Sequence, residues 1–217
     1  MTARAHFMTL EGGEGAGKST QAKRLAAALD AHGITAVLTR EPGGSPGAET
    51  IRKLLVLGER DKWDPETETL LVFAARADHI ARKIKPALEA GNWVICDRFI
   101  DSTYAYQGAG QGVATEFIDR LSALVLRGFT PELTLILDID PEAGLARTTG
   151  RTGGAREEAR FERFGLSFHR QLRTAFHEIA KQHPERCVLI DAARPEDEVA
   201  ESIWNAVASK FKLDSTV

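Results

Sequence analysis

The sequence predicts an α/β protein in which a five-stranded parallel sheet carries helices on both faces. Three observations predict it. Short apolar runs alternate with longer segments of helical period along the 217 residues, which is the rhythm of strand–helix–strand units. The stretch Gly12-Gly13-Glu14-Gly15-Ala16-Gly17-Lys18-Ser19-Thr20 lies between the first apolar run and the first helical segment, where a glycine-rich loop can cradle phosphate. The third run ends in Asp97, directly before Arg98. That puts charged groups at the carboxyl edge of the sheet, where open α/β sheets bind ligands.

The first strand, about 6–11, leads into the glycine stretch, which fits the P-loop spacing of Gly12, four residues, then Gly17-Lys18-Ser19. Its glycines let successive N–H groups converge on phosphate oxygens, and the positive end of the following helix adds to them. Lys18 is placed as a solvent-facing point charge for the β- and γ-phosphates, and the Ser19 hydroxyl as a ligand of the accompanying Mg²⁺. The first helix, about 18–32, turns Ala22, Leu25, Ala26 and Leu29 to the sheet and stops at Gly33. After the second strand, about 35–40, comes Thr39-Arg40-Glu41-Pro42-Gly43-Gly44 and a short helix over about 46–57.

A long helix is expected over about 64–90, with Leu70, Phe73, Ala74, Ala77, Ala81, Ile84 and Leu88 as its core stripe. Its other face carries Thr69, Val72, Arg76 and His79, and spacing alone reads Arg76 as a solvated charge. Pro86 removes a helical hydrogen bond, which predicts a kink. The third strand, about 92–97, places Asp97 as a direct or indirect partner of Mg²⁺. The segment from Phe99 to Gly108 is dense in hydroxyl, phenol and amide groups, a mixture that suits a sugar and a base. The fourth strand, about 133–139, is followed by Asp140 as N-cap and Pro141 as first helical residue. Arg147, Arg151 and Arg156 then share a Gly- and Thr-containing loop, read as a lid at about 147–157 that sets guanidinium groups on a transferring phosphoryl. Phe161, Phe164, Phe168, Leu172, Phe176 and Ile179 form a helical core stripe, and a last helix over about 195–210 follows the fifth strand, about 187–191.

Composition narrows the partners. With 28 Lys plus Arg against 31 Asp plus Glu and a net charge of −3, the chain carries no electrostatic footprint for nucleic acid or an anionic membrane. Cys96 and Cys187 lie within apolar runs and read as small buried hydrophobes. No apolar run approaches the roughly 20 residues of a membrane span, and the N-terminus lacks a signal-like apolar segment. One domain in the cytoplasm, acting on a small molecule, is the expectation. A P-loop GTPase is disfavoured, because the guanine-reading Asn-Lys-x-Asp motif is absent from the sequence.

In combination, the P-loop at 14–20, Thr-Arg-Glu-Pro-Gly-Gly at 39–44, Phe-Ala-Ala-Arg at 73–76, Asp-Arg-Phe at 97–99, Ser-Thr-Tyr-Ala-Tyr-Gln-Gly at 102–108 and the loop arginines resemble the thymidylate kinases over nearly the whole chain. The resemblance implies a three-layer P-loop NTPase fold with strand order 2-3-1-4-5, a homodimer, and transfer of a phosphoryl group from ATP-Mg²⁺ to dTMP. It implies that Glu14 meets the sugar 3′-hydroxyl, that Arg98 and Arg40 hold the acceptor phosphate, that Arg76 and Thr103 read the thymine edge, and that Tyr106 excludes a 2′-hydroxyl. Ser102 and Gln107 belong to the same acceptor segment. Glycine at position 15 implies that the catalytic arginine comes from the lid, with Arg151 as its first candidate beside Lys18 and Arg98, and Arg147 on the ATP side. The family's aromatic platform under thymine is replaced here by Val72. Phe73 is therefore the expected platform, with Val72 as the alternative contact. A different nucleoside or nucleotide kinase would keep the P-loop and lid and change this acceptor pocket.

Overall fold

The computed structural model describes residues 4–59, 61–149 and 160–213. Its five strands are β1 (Phe7–Glu11), β2 (Ala36–Arg40), β3 (Trp93–Asp97), β4 (Leu133–Asp138) and β5 (Cys187–Asp191). They form one parallel sheet of order β2-β3-β1-β4-β5. The central strand β1 is buried at every residue, as parallel strands covered on both faces must be. Its side chains alternate between two cores. Met8 and Leu10 pack with Leu25 and Leu29 of α1 (Lys18–Ala31) and with Val199, Ile203 and Val207 of α9 (Glu196–Phe211). Phe7 faces the other way, toward Phe73 of α3 (Pro65–His79) and Ile118 of α6 (Thr115–Leu126). All strands run the same way, so Glu11, Arg40, Asp97, Asp138 and Asp191 gather at one edge.

The helix ends follow local chemistry. Beyond α1, Gly33 N–H reaches Asp30 O (2.9 Å) and Ile34 N–H reaches Leu29 O (2.9 Å), a paired closure that needs the positive φ of 71° at Gly33. Helix α2 spans Pro46–Val56. Asp140 Oδ1 accepts from Glu142 N–H (2.9 Å) and caps α7 (Pro141–Thr149).

The expected 64–90 helix is divided into α3, a π-helical turn (Ile80–Ile84) and α4 (Lys85–Glu89). The disturbance expected at Pro86 thus takes the form of a wider turn just ahead of it. Its core stripe is a correction. Leu70 is 49% exposed, Ala74, Ala77 and Ala81 are exposed, and the buried side holds Glu68, Thr69, Val72, Phe73, Arg76 and His79. Phe73 and Ile84 of that stripe are buried and Leu88 packs beside them, but the stripe as a whole is displaced, because α3 also turns Glu68, Thr69, Arg76 and His79 inward, and of these Arg76 lines a cavity. Three further elements were not expected: α5 (Ile100–Thr103), the π-helical segment Tyr104–Gly110, and α6. Phe161 and Phe164 precede α8 (Leu166–Gln182), which starts after Gly165, while Phe168, Leu172 and Phe176 form its buried stripe.

Candidate active site

The P-loop lies between β1 and α1 and is pressed against neighbouring backbone. Gly12 has φ 128°, and a Cβ there would come within 2.3 Å of Leu137 O. Gly15 has φ 70°, and a Cβ there would sit 1.9 Å from Gly144 O in α7, so both positions require glycine. Lys18 is buried, which corrects the solvent-facing expectation. Its Nζ donates to Gly12 O (3.1 Å) and Gly13 O (2.7 Å), holding the loop in a crook around the ammonium. Burial, and next the nearby Arg98, push the Lys18 pKa down to about 8, against the pull of Asp97, Glu14 and Glu11. Ser19 Oγ donates to Asp97 Oδ2 at 2.5 Å, so the two groups expected at a metal stand side by side.

A cavity of about 270 Å³ runs from this loop along the ends of β2 and β3 to α2 and α3. Arg98 stands at its middle, with φ 70°. Its Nη1 donates to Gly12 O (3.0 Å) and Ser102 Oγ (3.2 Å), its Nη2 to Glu14 Oε1 (2.8 Å), and its guanidinium lies 4.8 Å from the Tyr106 ring centre. Tyr106 OH donates to the same Glu14 oxygen (2.8 Å). Burial raises the Glu14 pKa, but Arg98, Lys18 and the Tyr106 hydroxyl outweigh it and bring it down to about 2. Arg40, on the same cavity, is half exposed and 3.1 Å from the Glu49 carboxylate.

Two carboxylates of this site carry roles that sequence reasoning missed. Glu11, fully buried, accepts from Phe99 N–H (2.7 Å), Ser102 N–H (3.3 Å) and Ser102 Oγ–H (2.5 Å). It thereby bolts the left-handed backbone at Arg98 to the strand that feeds the P-loop. Burial, with Asp101 adding to it, pushes the Glu11 pKa up to about 8. Glu41 accepts from Arg76 Nε at 2.7 Å through Oε2 and pairs with His79 Nδ1 at 3.0 Å through Oε1; His79 Nε2 lies 2.6 Å from Thr39 Oγ1. Glu41 sits inside the 39–44 motif and Glu11 closes the strand just ahead of the P-loop, but nothing in their spacing told which partner they would meet.

Arg76, 1% exposed, is no solvated charge. Its Nη2 donates to Phe99 O (3.0 Å) and Thr103 Oγ1 (3.0 Å), and its Nη1 is buried with no protein partner. Phe73 lies under the guanidinium at 5.1 Å, inside the apolar core with Phe7 and Phe99. It is absent from the cavity wall, where Val72, Leu55, Val56 and Phe161 are found instead. The platform expectation for Phe73 is corrected in this respect: its place on the buried side of α3 is taken up by packing. Gln107, Ser102, Thr103 and Tyr106 all line the cavity, as do Gly15, Gly17 and Thr20 of the loop. Gly12 and Gly13 line a smaller cleft behind the loop, and Ala16 is packed in the core. Arg147, exposed, donates to Ala192 O (3.2 Å) beyond β5. Arg151 and Arg156 lie outside the described residues.

A glycine-rich phosphate cradle is thus joined through Arg98 to a cavity whose far wall holds a buried arginine N–H without a protein partner. The family model for thymidylate kinase matches residues 10–203. The chain is 54% identical over 207 residues to the thymidylate kinase of Caulobacter vibrioides, covering 95% of this chain and 98% of that protein. It belongs to the thymidylate kinase family. It is also 50% identical over 205 residues to the thymidylate kinase of Magnetococcus marinus, covering 94% and 96% of the two chains. The crystal structure of thymidylate kinase from Ehrlichia chaffeensis matches it with a TM-score of 0.75 at 35% identity, over 94% of this chain and 99% of that one. The chain is a thymidylate kinase, an enzyme that phosphorylates dTMP in a family that uses ATP. The sheet order implied by the resemblance is the order observed. No helix among the described residues is long and apolar enough to cross a membrane.

Proposed function

We propose that this thymidylate kinase works as a cytoplasmic, Mg²⁺-dependent homodimer of single-domain chains, with the acceptor bound between Arg98 and Arg76. The observation that carries the acceptor placement is the buried Arg76 Nη1, an N–H donor left without a partner on the cavity wall. A buried donor of this kind needs an acceptor, and O4 of thymine supplies one. Thr103 completes that edge. Val72, Leu55 and Val56 give the base an aliphatic floor.

From Arg76 the nucleotide reaches back along the cavity. Tyr106 and Glu14 meet the sugar: the carboxylate accepts the 3′-hydroxyl, and the ring fills the space a 2′-hydroxyl would need. Arg98 and Arg40 neutralise the 5′-phosphate, which is already an anionic nucleophile and needs alignment more than a base. Lys18 and the P-loop amides receive the β- and γ-phosphates of ATP, with Arg147 toward its outer end. Ser19 and Asp97 form a hard oxygen pair fitting Mg²⁺, and the ion would neutralise charge on the donor phosphates. From its place in the sequence, Arg151 is assigned the catalytic guanidinium.

Exposed Leu70, Ala74 and Ala77 on α3 and Ala81 on the π-helical turn after it, together with exposed Leu54 of α2 and Leu124 of α6, support a second copy of the chain as the partner. The acceptor assignment is tested by an ADP-release panel of dTMP, dUMP, dCMP and dGMP with the parent and Arg76→Lys. A point charge does not reproduce the guanidinium fork, so Arg76→Lys should raise the KM for dTMP at least about tenfold. An unchanged KM would remove the base from Arg76.

A further inference from the structure

Helix α3 buries a second charged side chain two turns before Arg76, one the chemistry above leaves idle. Glu68 is fully enclosed, and three side chains from other elements meet its carboxylate. Gln107 Nε2 (2.9 Å) and Gln111 Nε2 (2.7 Å) donate to Oε1, and Arg160 Nη1 donates to Oε2. Arg160 is buried too, and its Nε donates to Glu59 O (2.9 Å) and Nη1 to Leu55 O (3.2 Å). The node thus joins α3, the end of α2, the π-helical segment and the start of the Phe161 turn.

Facing a guanidinium, Glu68 offers acceptors only, so any amide that meets it must present its NH₂ group. The orientation of Gln107 is therefore set by chemistry, where an isolated amide could be turned either way. Gln107 lines the acceptor cavity together with Arg76 and Thr103. With one N–H held by Glu68, the amide cannot reverse, and its carbonyl oxygen is the acceptor it has to offer a ligand. The cavity lining then holds an N–H donor from Arg76 and a C=O acceptor from Gln107. That pair complements a ring with a carbonyl next to an N–H, such as thymine, and opposes cytosine, which presents an amine next to a bare nitrogen.

We propose that Glu68 is a positioning residue for base selection: it holds Gln107 carbonyl-first toward the acceptor base, and Arg160 fixes Glu68 in place to do so. The proposal rests on the base lying beside Arg76, as assigned above. The test compares kcat/KM for dTMP and dCMP, with thermal melts, in the full chain carrying Glu68→Gln, Gln107→Met or both. A glutamine at 68 can turn its own NH₂ toward Gln107 and let that amide reverse. Glu68→Gln should lower the dTMP-over-dCMP preference by about tenfold or more, mainly through the KM for dTMP. In the Gln107→Met background the same change should shift the preference by less than about twofold, because a residue acting through another loses its effect when that other is gone.

Removing the carboxylate opposite the buried Arg160 guanidinium destabilises Glu68→Gln, so the charge-free pair Glu68→Met/Arg160→Met, which leaves Gln107 no acceptor at position 68, is measured alongside and should show the same loss of preference. Parent-like preference in either folded variant, or equal loss with and without Gln107, overturns the proposal, and so does failure of both to fold. An unchanged KM in Arg76→Lys strikes the base placement instead.

Discussion

At the scale of single residues, burial decides how the charged groups act. Lys18, crooked onto two loop carbonyls with its pKa brought down to about 8, is set to regain its proton when phosphates arrive. ATP binding near pH 8 should therefore take up a proton, seen as a binding heat that depends on the ionisation enthalpy of the buffer. Lys18→Met should abolish that dependence and lower kcat by about 10²-fold or more, with little change in melting temperature. Turnover near the parent's would remove Lys18 from the chemistry. Val72 and Phe73 give a second pair of outcomes. Phe73→Ala empties a core position and should destabilise the chain by about 3–5 kcal/mol with dTMP affinity retained. Val72→Phe restores a ring at the cavity wall, where base stacking is worth roughly 1–3 kcal/mol, and should tighten dTMP binding; titration calorimetry with both variants checks this. The P-loop was legible because its chemistry is contiguous, whereas Glu68 and Arg160 meet across 92 positions, and no local pattern marks such a pair.

At the scale of elements, the strands were readable because each is a short apolar run ended by a charged residue, and the ends agree to within a residue or so. Helix α3 shows where that reading fails. Reading a core face from apolar spacing assumes that water lies opposite it, but α3 has the acceptor cavity on one side and an apolar stripe on the other. The exposed stripe makes sense when a second α3 covers it. Ala77 is small and exposed in that stripe, so Ala77→Glu should bury a charge in the proposed contact, which is costly without a partner. Light scattering after size exclusion should find a dimer for the parent and a monomer for Ala77→Glu, with unchanged helical content. A monomeric parent at micromolar concentration would dismiss the dimer. Helix α6 was legible and escaped notice: Phe117, Ile118, Leu121 and Val125 recur at helical spacing and pack against one core, with Leu124 left 69% exposed at the edge of that stripe.

At the scale of the whole molecule, the fold draws ionisable groups to one dry edge of the sheet and ties its stability to pH. Glu14, brought down to about 2 from 4.5, contributes stability above pH 4.5 that is lost as pH falls toward 2. Glu11 has the opposite sign. Raised from 4.5 to about 8 by burial and then by Asp101, it holds a proton in the folded chain that the unfolded chain has released, so the stability it permits is full below pH 4.5 and drains away up to about pH 8. Lys18, lowered from 10.5 to about 8, is charged in both states below pH 8, while His169, lowered from 6.5 chiefly by burial, adds stability as pH rises to about 6.5 and opposes Glu11 there. The parent should accordingly melt at progressively lower temperature from about pH 6.5 to pH 8. Glu11→Gln keeps an oxygen for the Phe99 and Ser102 N–H groups but cannot ionise, so its melting temperature should fall less across the same range, gaining on the parent as pH rises. Parallel melting curves for the two proteins would mean that Glu11 is ionised in the fold, with Arg98 and the three hydrogen bonds from Phe99 and Ser102 outweighing its burial.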